Sequence, residues 1–140
     1  MSNRTGLPKP CDGMEADMLG PIDTVRLFTV NLKKSLDFYQ GKLGMTPAVS
    51  DENVAIFDTG SAKLMLEVLE PDSEEADDLV GRFTGLSFAV PDIRAAVAEM
   101  EGKGVPFDGR PELQPWGGAL AHFFDPDGNV LTIVQYPLQD

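Results

Sequence analysis

A glutamate and the single histidine are the side chains of this sequence with the clearest chemical potential. Glu67 lies in the segment LMLEV, where strand alternation places it on the same face as Met65 and among apolar neighbours. It either contacts a ligand, by binding an amine or accepting a proton, or pairs with Arg26 across a sheet and stabilises a pocket wall. His122 either acts as an acid or base near neutral pH or is a hydrogen-bonded strand residue, and we favour the second interpretation.

A tryptophan in a glycine-rich loop is the third candidate. Trp116 lies in the segment QPWGG, and its indole ring either stacks on a planar ligand or closes one end of the core. Its position in a loop favours contact with a ligand. Phe38 and Tyr39 are instead predicted to be core residues of a helix. The sequence contains no G-x-G-x-x-G motif, no P-loop and no nucleophile in the sequence context of a hydrolase.

Composition narrows the classes of partner and the location. The 140 residues fit one domain, and 23 acidic against 11 basic side chains give a net charge of −12. Such a chain repels phosphate backbones and anionic lipids, so we expect neither nucleic acid nor membrane as a partner. Cys11 is the only cysteine, and residues 1–20 contain no stretch typical of a signal peptide. These features predict a protein of the reducing cytoplasm.

The elements that position the candidate residues are predicted to begin after a flexible lead-in over residues 1–20. A strand begins at Ile22, and Asn31 is placed to cap a helix that ends at Gly44. The apolar face of this helix has the α-helical spacing of Leu32, Leu36, Tyr39 and Leu43. Three strands are predicted to follow, over residues 46–50, 53–58 and 62–69.

The second half of the chain repeats this pattern after an acidic segment, residues 70–82, which is predicted to be a solvated linker. The strand GLSFAV precedes Asp92, a second capping residue, and a helix with apolar residues at positions 93, 97 and 100. Strands over residues 120–124 and 129–136 are joined by the turn DPDG. The repeat predicts a single α+β domain over residues 21–140, with two modules at about 21–70 and 83–136 and a cavity between their sheets.

Long segments of both halves resemble a known superfamily. LFTVNLKKSLDFYQGKLGM resembles the opening signature of the vicinal oxygen chelate superfamily, which includes glyoxalase I, bleomycin-resistance proteins and extradiol dioxygenases. VPDIRAAVAEMEGKGVPF, PWGG and FFDPDGNVLTIVQ resemble its closing signature, so the resemblance covers about residues 22–136. It implies paired βαβββ modules with cup-shaped mixed sheets, a homodimer, and a ligand pocket on the concave faces.

The resemblance also implies where a metal would bind in related enzymes. The corresponding positions are Thr24, Glu67, Gly85 and Thr132, so one carboxylate is retained where the metalloenzymes have several ligands. Catalytic divalent metals usually need about three protein ligands, and threonine is a poor substitute for histidine or glutamate. We therefore expect no metal and no other cofactor. This disfavours glyoxalase I, metal-dependent epimerases and extradiol dioxygenases.

Strand parity and the resemblance together define a candidate ligand site. The residues expected to face the cavity, together with the loop tryptophan, are Arg26, Phe28, Met65, Glu67, Ser87, Trp116, His122 and Thr132. The favoured hypothesis is a metal-independent protein of the bleomycin-resistance type, which sequesters or carries a small, partly aromatic molecule, with antibiotic resistance as one such role. The alternative is a lyase, isomerase or dioxygenase-like enzyme that uses Glu67 and His122 or a relocated metal site. A third hypothesis is a structural module whose pocket is buried in a dimer.

Overall fold

The computed structural model describes residues 18–137, which form two four-stranded sheets with helices packed on one face of each. Most of the predicted lead-in over residues 1–20, including Cys11, lies outside the described residues. Residues 18–20 form neither helix nor strand. Within residues 18–137, no helix has the length and apolar character needed to cross a membrane.

The first module has the order strand, helix and three strands. Its elements are β1 (Thr24–Thr29), α1 (Leu32–Leu36), β2 (Pro47–Ser50), β3 (Val54–Asp58) and β4 (Lys63–Val68). The strands lie in the order β1-β4-β3-β2, with β1 parallel to β4 and the other pairs antiparallel. The parallel pair is possible because α1 crosses over between β1 and the later strands.

The helix of this module begins and ends close to the predicted positions but changes its winding. The side chain of Asn31 accepts a hydrogen bond from the backbone N–H of Lys34, which caps the first turn. After α1 the chain continues as a π-helical turn over Asp37–Lys42, with the Leu43 N–H donating to the Phe38 carbonyl at 3.0 Å. A π-turn rotates less per residue than an α-helix. The consecutive rings of Phe38 and Tyr39 are both buried, which confirms the prediction that they belong to the core.

The acidic linker contains a helix that the sequence analysis did not predict. Helix α2 (Glu74–Leu79) begins after Ser73, whose hydroxyl accepts from the Ala76 N–H at 3.0 Å. Acidic side chains in its first turn complement the positive end of the helix dipole. Ala76 is buried and anchors the helix, while the carboxylates remain exposed as predicted.

The second module repeats the first. Its elements are β5 (Phe83–Ala89), α3 (Ile93–Gly102), β6 (Glu112–Leu113), β7 (Ala119–Phe124) and β8 (Val130–Gln135), in the sheet order β5-β8-β7-β6. Asp92 caps α3 by accepting from the Ala95 N–H at 3.1 Å, as predicted. Strand β6 was not predicted, because its two exposed residues carry no alternation. The α+β fold with two βαβββ modules is confirmed.

One apolar core joins the two modules. Leu27, Phe57 and Leu66 contribute from the first module, and Phe123 and Leu131 from the second. These residues lie on the helix-facing side of their sheets, so each sheet has one face in the core and the other face turned away from it.

A buried polar network fastens the turn after β7 to the first module. The Tyr39 hydroxyl donates to Asp125 Oδ2 at 2.8 Å, across 86 residues of sequence. Asp125 also accepts from the side chain of Asn129 at 3.0 Å and from the N–H groups of Asn129 and Asp127, both at 2.9 Å. Burial raises the pKa of Asp125 in spite of these bonds. Burial and the nearby Asp125 carboxylate raise the pKa of Tyr39 far above its usual range.

Three further bonds extend this contact along the same turn. Asp127 accepts from the Ser35 hydroxyl at 2.9 Å and from the Val30 N–H at 3.2 Å. The Asn129 amide donates to the Phe28 carbonyl at 3.1 Å. The predicted DPDG turn therefore also sets the position of one module against the other.

Candidate functional site

The face of the first sheet that is turned away from the helices carries two rows of side chains. Residues paired across a sheet share a face, and the pairing gives the rows directly. One row comprises Arg26, Met65 and Ile56, and the next comprises Phe28, Glu67 and Val54. The structure thus places four of the predicted ligand residues of the first module on one face.

The charged pair in these rows is a side-chain contact across the two strands. Arg26 Nη1 lies 3.2 Å from Glu67 Oε1, and the Arg26 guanidinium lies 5.4 Å from the centre of the Phe28 ring. The two charged side chains are 58% and 31% exposed, so the pair itself contributes at most about 1 kcal/mol to stability. The pairing predicted as the structural interpretation of Glu67 is present.

The second sheet presents a polar row on the equivalent face. Ser87, Thr132 and His122 are paired across β5, β8 and β7. His122 Nδ1 lies 2.8 Å from the hydroxyl of Thr132, which is buried. The Phe83 ring packs against the imidazole in an edge-to-face arrangement, with a centroid distance of 5.8 Å and an interplanar angle of 72°. His122 is therefore a hydrogen-bonded strand residue, the interpretation that the sequence analysis favoured, and its ring is held at a fixed angle.

Gly85 lies in a β-bulge, where its backbone conformation favours glycine over other residue types. Phe83 pairs with Val130 and Ser87 with Thr132, so four steps along β5 match two along β8. Gly85 has a φ of +74°, a conformation that is strained for residues with a Cβ. Thr84 holds the bulge, because its hydroxyl donates to the Val130 carbonyl at 2.8 Å and accepts from the Leu86 N–H at 3.1 Å.

Trp116 forms an aromatic pair at the end of the second sheet. Its ring centre lies 5.8 Å from that of Tyr136, and the two residues are 48% and 64% exposed. The indole packs directly on Gly118, where any Cβ would collide with it. With half of its surface open, Trp116 does not close the core. Its predicted contact with a ligand stays a prediction.

Comparison with known proteins identifies the family. A model of the Glyoxalase/Bleomycin resistance protein/Dioxygenase superfamily matches residues 21–133. The chain belongs to this superfamily. The uncharacterized protein YraH of Bacillus subtilis is 31% identical over 119 residues, which cover 78% of this chain and 93% of YraH.

Two solved structures of the superfamily fold are similar over most of their length. A superfamily member from Sphaerobacter thermophilus is 27% identical, with a TM-score of 0.68 over 84% of this chain and 98% of its own. TnmS3, an antibiotic binding protein from Streptomyces sp. CB03234, is 25% identical, with a TM-score of 0.68 over 86% of this chain and 98% of its own. The resemblance inferred from the signature segments is therefore confirmed.

The residues at the superfamily's metal positions do not fit a divalent cation. The Thr24 hydroxyl donates to Asp23 at 2.7 Å, Glu67 is paired with Arg26, and Gly85 has no side chain. The fourth position, Thr132, is bonded to the histidine ring. Within residues 18–137, no group of three or more His, Cys, Asp or Glu side chains is placed to hold a metal ion.

Sequence reasoning missed several residues of these faces. Phe83 has the strand parity of Gly85 and Ser87, and was missed because the predicted strand began at Gly85. Tyr136 continues the parity of Thr132 just beyond the end of β8. Alternation along the strand was the available signal in both cases. Extending the predicted strand before Gly85 by two residues would have found Phe83, and Tyr136 already lay at the end of the strand predicted over residues 129–136.

Proposed function

We propose that this protein is a metal-independent small-molecule-binding protein, which sequesters or carries a partly aromatic ligand on the concave faces of its sheets. The observation that carries the proposal is the state of the four superfamily metal positions. They retain a single carboxylate, and the Arg26 guanidinium already neutralises it. The same faces keep apolar and aromatic side chains beside a few polar groups, which is the usual character of a ligand site.

The chemistry of the faces supports a planar ligand with polar substituents. Phe83, Trp116 and Tyr136 are exposed aromatic rings, which offer stacking surface. The Arg26–Glu67 pair offers both a donor and an acceptor to a polar substituent. TnmS3 binds an antibiotic on a similar fold, which supports antibiotic sequestration as one form of this function.

A homodimer in the cytoplasm is part of the same proposal. Large apolar side chains are exposed on the described chain at Ile22, Val49 and Leu113, and association with a second copy would cover such surface. Sedimentation equilibrium at micromolar protein measures the oligomeric state. A monomer at every concentration up to about 100 μM, far above the dissociation constant of a stable dimer, would contradict it.

The experiment is a thermal-shift screen of planar aromatic compounds, antibiotics included, followed by calorimetry of each hit with and without EDTA. We expect stoichiometric binding that the chelator does not change. Glu67→Gln is expected to weaken binding about tenfold, because it removes a charge-assisted bond to the ligand or to Arg26. Glu70→Gln, just beyond β4 and exposed, makes the same charge change and is expected to have no effect. Binding that disappears with EDTA and returns with a divalent metal would contradict the proposal.

The second candidate is a lyase or isomerase, favoured by the contact that orients His122 against Thr132. A histidine held at one ring nitrogen is the arrangement that general acid–base catalysis uses. Mass spectrometry of each bound ligand after incubation separates the two candidates. Conversion of the ligand that His122→Gln abolishes would establish turnover, and unchanged ligand would support binding alone.

A further inference from the structure

A cavity lies between the two modules on the helix side of the sheets. It has a volume of about 600 Å³, within the range of small-molecule sites. The exit of the first helical segment, residues 42–46, forms one wall, and α3 forms another. Its apolar lining comprises Met45, Phe88, Val90, Met100, Phe123 and Ile133.

This cavity is separate from the concave faces, which are the sheet faces turned away from the helices. Phe88, Phe123 and Ile133 have the opposite strand parity to the Ser87, His122 and Thr132 row. A ligand in the cavity therefore contacts the reverse side of the same strands. Phe123 and Ile133 also belong to the core, so the floor of the cavity is continuous with it.

Small residues on both sides leave the space open. Ala96 of α3 and Gly44 line the cavity where larger side chains would fill it. The space is a cleft open to solvent, and its dimensions are those of a small-molecule site.

The charges at the cavity determine which ligand it suits. Lys42, Asp58, Glu99 and Lys103 all line it. Lys103 Nζ already lies 3.6 Å from Glu99 Oε2. Within residues 18–137 no carboxylate lies within 4.0 Å of Lys42 Nζ, which packs over Gly104. Asp58, the remaining carboxylate, accepts a hydrogen bond from the Gly60 N–H at 3.0 Å, and its charge disfavours a second negative charge on the ligand.

We propose that this cavity binds an amphipathic monoanion, an alkyl or aryl carboxylate whose apolar body lies between Met45 and Met100 and whose carboxylate pairs with Lys42. The long-range field of a chain with net charge −12 weakens the approach of any anion. The affinity must therefore come from burial of the apolar body, with the ammonium group fixing the orientation. This site is additional to the concave one and does not depend on its function.

Methionine methyl groups report on the two sites separately. Met45 and Met100 line the cavity, whereas Met65 lies on the concave face. Octanoate is titrated into full-length protein labelled with ¹³C at the methionine methyls. We expect saturable shifts of the Met45 and Met100 signals and little change at Met65. Shifts at Met65 alone, or no saturable shift, would overturn the proposal.

Matched variants test the lining and the charge. Ala96→Leu fills the cavity and is expected to weaken octanoate binding at least tenfold, whereas Ala95→Leu, exposed on the same helix, leaves it unchanged. Lys42→Gln is expected to weaken binding about fivefold, and Lys34→Gln, exposed on α1, not at all. The lysine variants change only exposed side chains, so they remain informative if Ala96→Leu unfolds the protein.

The ligand series completes the test. Hexanoate, with two fewer methylenes to bury, is expected to bind roughly tenfold more weakly than octanoate. Octylammonium has the same apolar body and the opposite charge, and is expected to bind more weakly than octanoate. Equal binding of octanoate and octylammonium to wild-type protein would refute the role of Lys42. Octanoate that binds equally well to Ala96→Leu and to Ala95→Leu would refute the site.

Discussion

Removal of one buried hydroxyl should measure how strongly the two modules are fastened together. In Tyr39→Phe the Asp125 carboxylate loses one of four donors, at a place where water does not replace it. Hydrogen bonds to charged groups contribute about 1.5–3 kcal/mol. We therefore expect the free energy of unfolding to fall by about 2 kcal/mol. For 140 residues this corresponds to a decrease in Tm of roughly 7 °C, because the entropy of unfolding is about 0.3 kcal/mol per kelvin.

The assay is urea unfolding at pH 8, followed by tryptophan fluorescence and by circular dichroism. Tyr136→Phe is the matched control, since it removes the same atom from an exposed ring and is expected to change stability by less than about 0.5 kcal/mol. If Tyr39→Phe and Tyr136→Phe lower the free energy of unfolding by equally small amounts, the hydroxyl of Tyr39 does not stabilise the contact between the modules.

The stability that Tyr39 and Asp125 contribute depends on pH, and the sign of this dependence follows from the burial of Asp125. The pKa of Asp125 is raised in the folded protein, so the native state binds this proton more tightly than the unfolded chain does. Stability from this group is present at low pH and is lost as the pH rises through the folded pKa. The Tyr39 hydroxyl offsets part of that loss by bonding the carboxylate. The difference between wild type and Tyr39→Phe should therefore shrink as the pH is lowered, and an increase would refute the reasoning.

Three further predictions test single features. Gly85→Ala should lower the free energy of unfolding by about 1–2 kcal/mol because of its positive φ, whereas Gly102→Ala, at the end of α3 without a positive φ, should be neutral or stabilising in urea unfolding. In Tyr136→Phe the only remaining phenol is Tyr39. Its raised pKa should keep it un-ionised until the protein unfolds, which is measured by the absorbance of phenolate at 295 nm. Stability should then fall above about pH 10, since only the unfolded chain releases this proton there. Ser73→Ala should lower the free energy of unfolding by about 1 kcal/mol and make amide hydrogen exchange in α2 faster. Slow exchange in α2 of this variant would contradict the capping role of Ser73.

Most of the helices and strands were predictable because local sequence periodicity specifies them. Asn31 and Asp92 mark the two helix starts, and the alternation in β4 assigns its faces. The elements that were missed have little or no periodicity of their own. Strand β6 has two residues, and α2 is a six-residue helix held by one capping serine and one buried alanine.

The site was predictable as a set of faces but not as a set of contacts. Parity along each strand correctly put Arg26 and Glu67 on one face of the first sheet, and the expectation from the family resemblance that His122 faces the same cavity stays a prediction. The partner of each side chain depends on register between strands, which a single sequence does not give. The Tyr39–Asp125 bond is the clearest case, because its two residues are 86 apart and no local pattern joins them.

The loss of the metal positions has consequences beyond the missing ligands themselves. A histidine at position 85 would have to enter a bulge whose backbone has a φ of +74°, held in place by Thr84. A glutamate at position 132 would be a buried carboxylate beside His122, whose ring now makes its one side-chain hydrogen bond within residues 18–137 to the Thr132 hydroxyl. Restoring a cation site therefore requires a strained backbone at position 85 and a rebuilt histidine contact, as well as two exchanged side chains. The positive φ at Gly85 is thus a backbone feature that supports the metal-independent binding function proposed above.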